Sequence, residues 1–340
     1  MKKFIKLGLV SALLSIMLTH SYPHELSTII ASDPAIYRLT AIYVTHSDDK
    51  VLTEIIDDKI LNELPLNSSA HYLVRGGSHL YLANSTNVST LIKGTPVSIF
   101  TVPPPIIDLI THNNELYVAY GRTVSILVNG KNICNILLPY LISSAAIKGD
   151  EIYVMHGNTL SIIVDHKIVK DIEFPLSIFS SEVFEDPSRT FLGFRGDEIY
   201  LTEYDNHHIY RIFEGKVIHQ LSLEKAVGNI ACIGQKLYVT HPDNRAISII
   251  VGDRKIGEIE VEDFPDALAV VGRKLYVANR KGSTLSVISD YAKIQNIKLT
   301  KYPSALATIY RGQSLFYMLA NLENQLSRPL LCDIDIISSV

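Results

Sequence analysis

The feature that most constrains the fold is a tyrosine that recurs directly after Leu or Ile along almost the whole chain. Its positions are Tyr43, Tyr81, Tyr117, Tyr153, Tyr200, Tyr238 and Tyr276, with Phe316 at the corresponding place after Leu315. Neighbouring members are separated by 38, 36, 36, 47, 38, 38 and 40 residues. A fixed period of about 40 residues with four short strand signals is typical of a β-propeller blade. The sequence therefore predicts an all-β fold, a single propeller of four-stranded antiparallel blades.

The turns inside each period divide it into four strands, named A to D from the centre of the ring outward. In the copy at residues 265–300 the predicted strands are 266–271, 275–278, 284–288 and 294–299. The turn between strands A and B is Gly272-Arg273 in this copy and Asn113-Asn114 in another. Both pairs tolerate the positive φ angles of tight hairpin turns.

The number of blades follows from the number of B-strand signals. Eight signals favour eight blades, because residues 34–340 divided by eight give about 38 residues a blade, close to the commonest spacing. The two ends fit the pattern least well, since no Gly turn precedes Tyr43 and the copy at Phe316 is degenerate. Seven blades, with one blade closed by strands from both ends of the chain, are the alternative.

The N-terminal residues have the pattern of a secretory signal. Three lysines precede an apolar run and a short polar end: Lys2, Lys3 and Lys6, residues 7–18, and residues 19–21. The apolar run is shorter than the ~20 residues that span a bilayer. We therefore expect a signal peptide at 1–21, a linker at 22–33, a propeller at 34–340 and a secreted or cell-surface protein. A retained N-terminal anchor is the alternative.

Composition favours a globular chain without a nucleic-acid partner. Apolar residues make up 47% and charged residues 19%, the net charge is −4, and no Lys/Arg cluster occurs. Cys134, Cys232 and Cys332 fall in blades that are not neighbours, so we expect three free thiols. Glycosylation sequons begin at Asn67, Asn84 and Asn87.

Three segments carry a resemblance to a known repeat: Tyr43-Val44-Thr45, Tyr238-Val239-Thr240 and Tyr276-Val277-Ala278-Asn279. Each precedes a turn and a Val/Ile-rich strand, and together they resemble the YVTN-type β-propeller repeat over about residues 34–330. The resemblance implies a propeller that is exported or displayed on the cell surface. It carries over no binding residue, because that family is marked by a blade consensus rather than by a catalytic motif.

The position directly after strand B holds residue types that bind metals, but the spacing of the blades argues against a shared metal site. It holds His46, His156, Glu203 and His241 in different blades. Neighbouring sheets lie about 10 Å apart, whereas zinc ligands lie about 2.0–2.3 Å from the ion. Most of these side chains therefore cannot converge. We expect polar turn residues that cap hairpins, with no metal and no cofactor.

A ligand site in a propeller is expected at the mouth of the central channel, where the innermost strands begin. The predicted residues there are Asp108, Ser143, Arg189, Asn229, Asp266 and Ser304. They are polar and mixed in sign, without a carboxylate cluster of the kind that holds Ca²⁺. Arg189 near Asp108 and Asp266 suits a small polar ligand. A water-filled channel without a ligand is the alternative.

The longest step in the period, 47 residues, places an insertion before Arg189. It contains Glu182, Phe184, Glu185 and Asp186, an apolar tip with charges, in a connection that crosses the rim of the channel. Insertions in repeat proteins often build the binding face. The sequence thus predicts a ligand or partner contact at this loop.

No catalytic constellation stands out from the sequence. We therefore favour a monomeric, non-catalytic binding or scaffold protein whose partner is a protein or a cell-envelope component rather than a small molecule. The alternative is a propeller enzyme, a hydrolase or lyase, with its site at the channel mouth.

Overall fold

The protein is represented by a computed structural model that describes residues 40–76, 79–92, 95–175, 189–204 and 206–310. Residues 41–309 form one compact unit. Within the described ranges its regular structure is β-strand, apart from a 3-10 turn at Pro242–Asn244. No helix within the described ranges is long and apolar enough to cross a membrane.

Seven four-stranded sheets, the blades, contain the 28 strands of the described residues. Blade 1 contains β28 (Pro303–Tyr310), β1 (Thr40–His46), β2 (Val51–Ile56) and β3 (Lys59–Pro65). Blade 2 contains β4 (Tyr72–Gly76), β5 (His79–Ala83), β6 (Asn87–Ile92) and β7 (Thr95–Thr101). Blade 3 contains β8 (Ile106–His112), β9 (Glu115–Tyr120), β10 (Thr123–Val128) and β11 (Lys131–Leu137).

The other four blades follow in chain order. Blade 4 contains β12 (Ile142–Lys148), β13 (Glu151–His156), β14 (Thr159–Val164) and β15 (Lys167–Glu173). Blade 5 contains β16 (Thr190–Arg195), β17 (Glu198–Glu203), β18 (His208–Phe213) and β19 (Lys216–Ser222). Blade 6 contains β20 (Ile230–Ile233), β21 (Lys236–His241), β22 (Ala246–Val251) and β23 (Arg254–Glu260). Blade 7 contains β24 (Pro265–Val271), β25 (Lys274–Asn279), β26 (Thr284–Ser289) and β27 (Ala292–Lys298).

The expectation of eight blades is wrong, and blade 1 shows why. Its inner strand is β28, which pairs with β1, so the eighth A strand and the first B strand belong to one sheet. The backbone N–H of Ser47 donates to the carbonyl of Tyr302 at 3.1 Å, and the hydroxyls of Thr45 and Ser304 lie 3.1 Å apart. This pairing closes the ring and removes an open sheet edge.

The turns between strands A and B adopt the conformation that their residues predict. Gly272 has φ of 60°, and Asn113 and Asn114 have φ of 47° and 65°. These are the positive values that a two-residue hairpin turn requires. The pairs Leu109–Val118 and Val270–Leu275 are in antiparallel register on either side of such turns.

The core lies between blades, with the middle strands buried and the outer strands half exposed. In blade 7, β26 is buried at its four central residues, whereas β27 is mostly exposed. The repeated tyrosine explains part of this packing. Tyr238 is 1% exposed, and its hydroxyl donates to the carbonyl of Asp290 in the next blade at 2.6 Å. Tyr276 likewise donates to Asp58 across the closing seam at 2.6 Å.

Several predictions for the ends and the thiols fall partly outside the described residues. Cys134 and Cys232 are free thiols, whereas Cys332 lies beyond the described ranges. The signal peptide at 1–21, the linker at 22–33 and Phe316 also lie outside them.

Candidate functional site

Each of the seven blades places one polar residue where its inner strand begins, at the same end of the central channel. In order of blade they are Ser304, Tyr72, Asp108, Ser143, Arg189, Asn229 and Asp266. All except Asp266 line one cavity of about 230 Å³, and Asp266 forms an ion pair with Arg189. We call these seven residues the channel ring. The structure thus brings together the six residues that the sequence predicted for the channel mouth, and their binding role stays a prediction.

Arg189 is the cation of the channel ring. It belongs to blade 5, and its Nη1 lies 3.6 Å from Oδ1 of Asp266 in blade 7. The guanidinium also lies 5.2 Å from the ring centre of Phe191. The Asp266 side chain is 9% exposed and the Arg189 side chain 53%. A contact of this length is looser than a hydrogen bond, so Arg189 retains donors that face the solvent.

Asp108 is the second carboxylate of the ring. Its Oδ1 accepts the N–H of Leu109 at 2.9 Å, and its Oδ2 accepts the N–H of Ala145, in the next blade, at 3.2 Å. Burial raises the pKa of Asp108 to about 6, although these two hydrogen bonds and the charge of Arg189 act in the opposite direction. The group is therefore mainly ionised at neutral pH and gains a proton in mild acid.

Sequence reasoning missed Tyr72, the contribution of blade 2 to the ring. Burial raises the pKa of its phenol, which therefore stays neutral. Among the described residues its hydroxyl has no hydrogen-bond partner, while Arg189, Asp108 and Asp266 all lie close enough to influence its charge. A signal was present in the sequence, because Tyr72 precedes Asp108 by 36 residues, one ordinary period.

The hydroxyl groups of the cavity wall are engaged with each other. The hydroxyl of Thr190 lies 2.8 Å from that of Ser143 and 2.7 Å from that of Ser144. Ser304 donates to the carbonyl of Ala70 at 3.0 Å. In contrast, among the described residues the Asn229 side chain uses only its Oδ1, which accepts the N–H of Ile230 at 2.8 Å. The hydroxyls thus fix the wall, and the amide, the guanidinium and the phenol have hydrogen-bonding capacity left.

Most of the insertion that the sequence predicted as a contact lies within residues 176–188, which the structure does not describe. Glu182, Phe184, Glu185 and Asp186 lie outside the described residues. Arg189 is the first described residue after them, and it lies at the cavity.

The four residues that were expected directly after strand B are not the polar turn residues that the sequence predicted. His46, His156, His241 and Glu203 each end a B strand and are at most 2% exposed. The prediction was wrong because the next strand supplies a partner inside the sheet. His156 Nε2 lies 2.8 Å from the hydroxyl of Ser161, which donates to Asp171 at 2.6 Å. Burial lowers the pKa of His156, which keeps the ring neutral at pH 7.

The same arrangement recurs with other residue types. In blade 7, Asn279 donates to Ser286 at 2.8 Å, and Ser286 donates to Asn296 at 2.7 Å. We call a chain of this kind, from the end of strand B through a Ser on strand C to strand D, a blade relay. Blade relays link buried polar groups inside one blade, although Nδ1 of His156 and Oδ1 of Asn279 have no partner among the described residues. Within the described ranges, no group of three or more His, Cys, Asp or Glu side chains is arranged to hold a metal ion.

The three sequon asparagines differ in their surroundings. Asn67 is exposed, and its amide donates to the carbonyl of Pro96 at 3.3 Å. Asn84 is a turn residue, since its Oδ1 accepts the N–H groups of Thr86 and Asn87 at 3.0 and 2.8 Å. Asn67 is therefore the most accessible of the three to a glycosylating enzyme.

A second cavity, of about 390 Å³, lies between blades 3 and 4 at the opposite ends of the strands. Glu115 occupies its wall, where it accepts hydrogen bonds from the hydroxyl of Tyr117 at 2.7 Å and from His166 at 2.8 Å. These bonds lower the pKa of Glu115 against the opposing effect of burial. His112 lies 3.5 Å from Asp150 on the same wall. The polar groups of this seam are thus paired with each other across the two blades.

Comparison with known proteins shows the fold and leaves the family open. No family model matches the chain, and no curated protein matches it. Many solved structures are similar. Apo AztD from Citrobacter koseri is 13% identical, with a TM-score of 0.57, over 82% of this chain and 100% of that chain.

Two other similar structures come from proteins that are described as enzymes. A catalytically inactive virginiamycin B lyase from Staphylococcus aureus, with quinupristin, is 13% identical, with a TM-score of 0.58, over 77% of this chain and 89% of that chain. A candidate 6-phosphogluconolactonase from Bacteroides uniformis is 14% identical, with a TM-score of 0.64, over 80% and 99% of the two chains. At such identities the likeness concerns the fold alone.

Proposed function

We propose that this protein is an exported, non-catalytic binding protein, built of YVTN-type repeats, that takes a polar group of its ligand or partner into the mouth of the central channel. The observation that carries the proposal is the channel ring. Among the described residues, Arg189, Tyr72 and Asn229 keep free hydrogen-bonding capacity around a cavity, whereas Ser161 and Ser286 inside the blades donate to neighbours in their own sheet. Convergent polar groups in a concave site are typical of binding sites.

The hydroxyls of the channel ring support a non-catalytic role. A nucleophilic Ser or Thr is activated by a neighbouring base. Within the described residues, Ser143 bonds to Thr190, and Ser304 bonds to Thr45 and to a backbone carbonyl. None of these three partners is a base.

The N-terminal pattern of three lysines and an apolar run supports export. The inserted sequence that contains Phe184 supports a protein or cell-envelope partner, because aromatic side chains are enriched in protein interfaces.

One observation favours the alternative, a hydrolase or lyase. Asp108 has a pKa raised to about 6 by burial and lies in the same cavity as Arg189. A carboxyl with a shifted pKa in a cavity is suited to general acid–base catalysis. If this reading is correct, the bound compound is converted during the experiment, and Asp108→Asn stops the conversion without abolishing binding.

The test of the proposed function is retention of a cell-envelope extract on immobilised protein. We expect Tyr72→Ala to lose the retained component and Tyr302→Ala to keep it, since Tyr302→Ala makes the same change at a side chain that is 47% exposed. Mass spectrometry before and after incubation then separates binding from catalysis. Equal retention by both variants would show that the channel mouth is not the contact.

A further inference from the structure

The charges of the channel ring are unevenly paired. It contains two carboxylates, Asp108 and Asp266, and one guanidinium. Arg189 pairs with Asp266, whereas among the described residues no Lys, Arg or His lies within ion-pair distance of Asp108. At neutral pH the ring therefore carries one net negative charge next to a cavity.

Asp108 is also the group that gains most from a cation. Its burial disfavours the ionised form, and a positive charge nearby would offset that penalty. Both of its oxygens already accept backbone N–H groups, so each has one lone pair left for a ligand.

The neighbours of Asp108 give the size and the shape of the cation. An ammonium group donates three hydrogen bonds to separate acceptors, whereas a guanidinium prefers two free oxygens of one carboxylate. Asp108, Asp266 and the neutral Tyr72 hydroxyl offer three separate acceptors. The cavity has a volume of about 230 Å³, which is below the range of about 300–1,000 Å³ for sites that enclose a whole ligand. This volume suits the terminal group of a larger ligand.

We propose that the channel mouth selects a primary ammonium group, held between Asp108 and Asp266 beside the hydroxyl of Tyr72. This inference rests on the proposed function, since it names the chemistry that the same site recognises. The ammonium belongs either to a free amine or to the side chain of a lysine in a partner.

Arg189 has a specific part in this arrangement. It is the internal cation that occupies Asp266 in the absence of a ligand, and it competes with the ammonium for that carboxylate. Removal of its charge is therefore expected to strengthen the binding of a cation. The same change would weaken the binding of an anion, which would use Arg189 as its partner.

Protonation of Asp108 removes one of the two charges that hold the ammonium. Affinity should be constant above pH 7 and fall toward tenfold per pH unit below about pH 6, because the cation binds the ionised form. The titratable and charged groups around Asp108 in the described residues are Tyr72, His71, Arg189 and Asp266. The imidazole of His71 also lines the cavity, so His71→Gln is the control that must retain the pH dependence.

The experiment uses matched probes and the full chain. Lysine capped at both ends is compared with its Nε-acetylated form by isothermal titration calorimetry, and 1,5-diaminopentane represents a free amine. We expect acetylation to weaken binding at least tenfold, Arg189→Gln to strengthen it several-fold, and Asp108→Asn to weaken it at least tenfold and to remove the pH dependence. Asp266→Asn replaces Asp108→Asn if the latter does not fold.

The outcomes separate this inference from the function on which it rests. Weaker binding by Arg189→Gln, or tighter binding in acid, would mean an anionic ligand and would overturn the ammonium proposal. Equal binding of the two lysine probes would overturn it as well. Failure of every probe, while the envelope component is still retained by wild type and lost by Tyr72→Ala, refutes the ammonium proposal alone. Equal retention by wild type and Tyr72→Ala refutes the proposed function.

Discussion

The blade interior and the channel mouth both bury polar groups, but they satisfy them differently. In the blade relay of blade 4, His156, Ser161 and Asp171 bond to one another within a single sheet. In the channel ring, each residue comes from a different blade, and Tyr72 and Asp108 face a cavity.

This difference in hydrogen bonding distinguishes the polar groups that stabilise the fold from the polar groups that are available to a ligand. A polar group whose partner is encoded a few residues away in the same blade is satisfied as soon as that blade forms. A group in the channel ring depends on other blades or on a ligand. Substitutions in the blade interior should therefore change stability, whereas substitutions in the channel ring should mainly change binding.

The largest effect is expected from the repeated tyrosine. Tyr238→Ala should lower the free energy of unfolding by about 3–5 kcal/mol, because it removes a buried ring from the seam between two blades. Chemical denaturation measures the change. The control is Tyr302→Ala, at a side chain that is 47% exposed, which should stay within about 0.5 kcal/mol of wild type. Equal effects of the two substitutions would contradict this view of the core.

A smaller loss of stability is expected when the central serine of a blade relay is replaced. Ser161→Ala leaves the buried His156 ring without its partner and removes a donor from Asp171, which should cost about 1–3 kcal/mol. Ser222→Ala, at an exposed strand end, is the matched control. An unchanged denaturation midpoint for Ser161→Ala would mean that the relay adds nothing to stability.

The pH dependence of a relay has a defined sign. Burial lowers the pKa of His156 in the folded protein below its unfolded value of 6.5. The unfolded chain therefore takes up more protons as pH falls below 6.5, and the fold loses stability in that window, by at most about 1.4 kcal/mol per pH unit for one group. His156→Asn copies the residue type of Asn279 in blade 7 and should make the stability less dependent on pH between 6.5 and 5. Thermal melts over this range check it, and a steeper dependence in the variant would contradict it.

The smallest effect is expected at the channel mouth. Tyr72→Phe removes a hydroxyl that has no partner among the described residues, so stability should change by less than about 0.5 kcal/mol. The same variant should bind capped lysine more weakly, since one acceptor is lost. A destabilisation as large as that of Ser161→Ala would show that the two regions are not different in kind.

The fold was largely readable from the sequence because its signals are local. The turn at Gly272, the repeated tyrosine and the channel positions all follow from one period. The number of blades was not readable, because periodicity does not say that β28 pairs with β1 rather than with a strand that follows it. The irregular register between strands C and D, as between Val287 and Ile288 in blade 7, has no mark in the sequence either.

The candidate site was also predictable from the sequence in part only. The period gave the positions of Asp108, Arg189 and Asp266, because every inner strand begins at the same end of the channel. The burial of His156 was not predicted, since a histidine before a turn looks solvated until its partner on the next strand is known. The pairing of Arg189 with Asp266 across blade 6 depends on the ring itself.

Closure of the ring by β28 also sets the order of events during biosynthesis. The partner of β1 is translated about 260 residues after it, so the first blade stays one strand short while all the others are made. Joining such distant segments carries the entropy of closing a very long loop, and that step comes last. A chain whose synthesis stops before Pro303 would therefore contain complete blades together with an unpaired strand edge at β1. Such an edge is a target for proteases and for pairing with other chains.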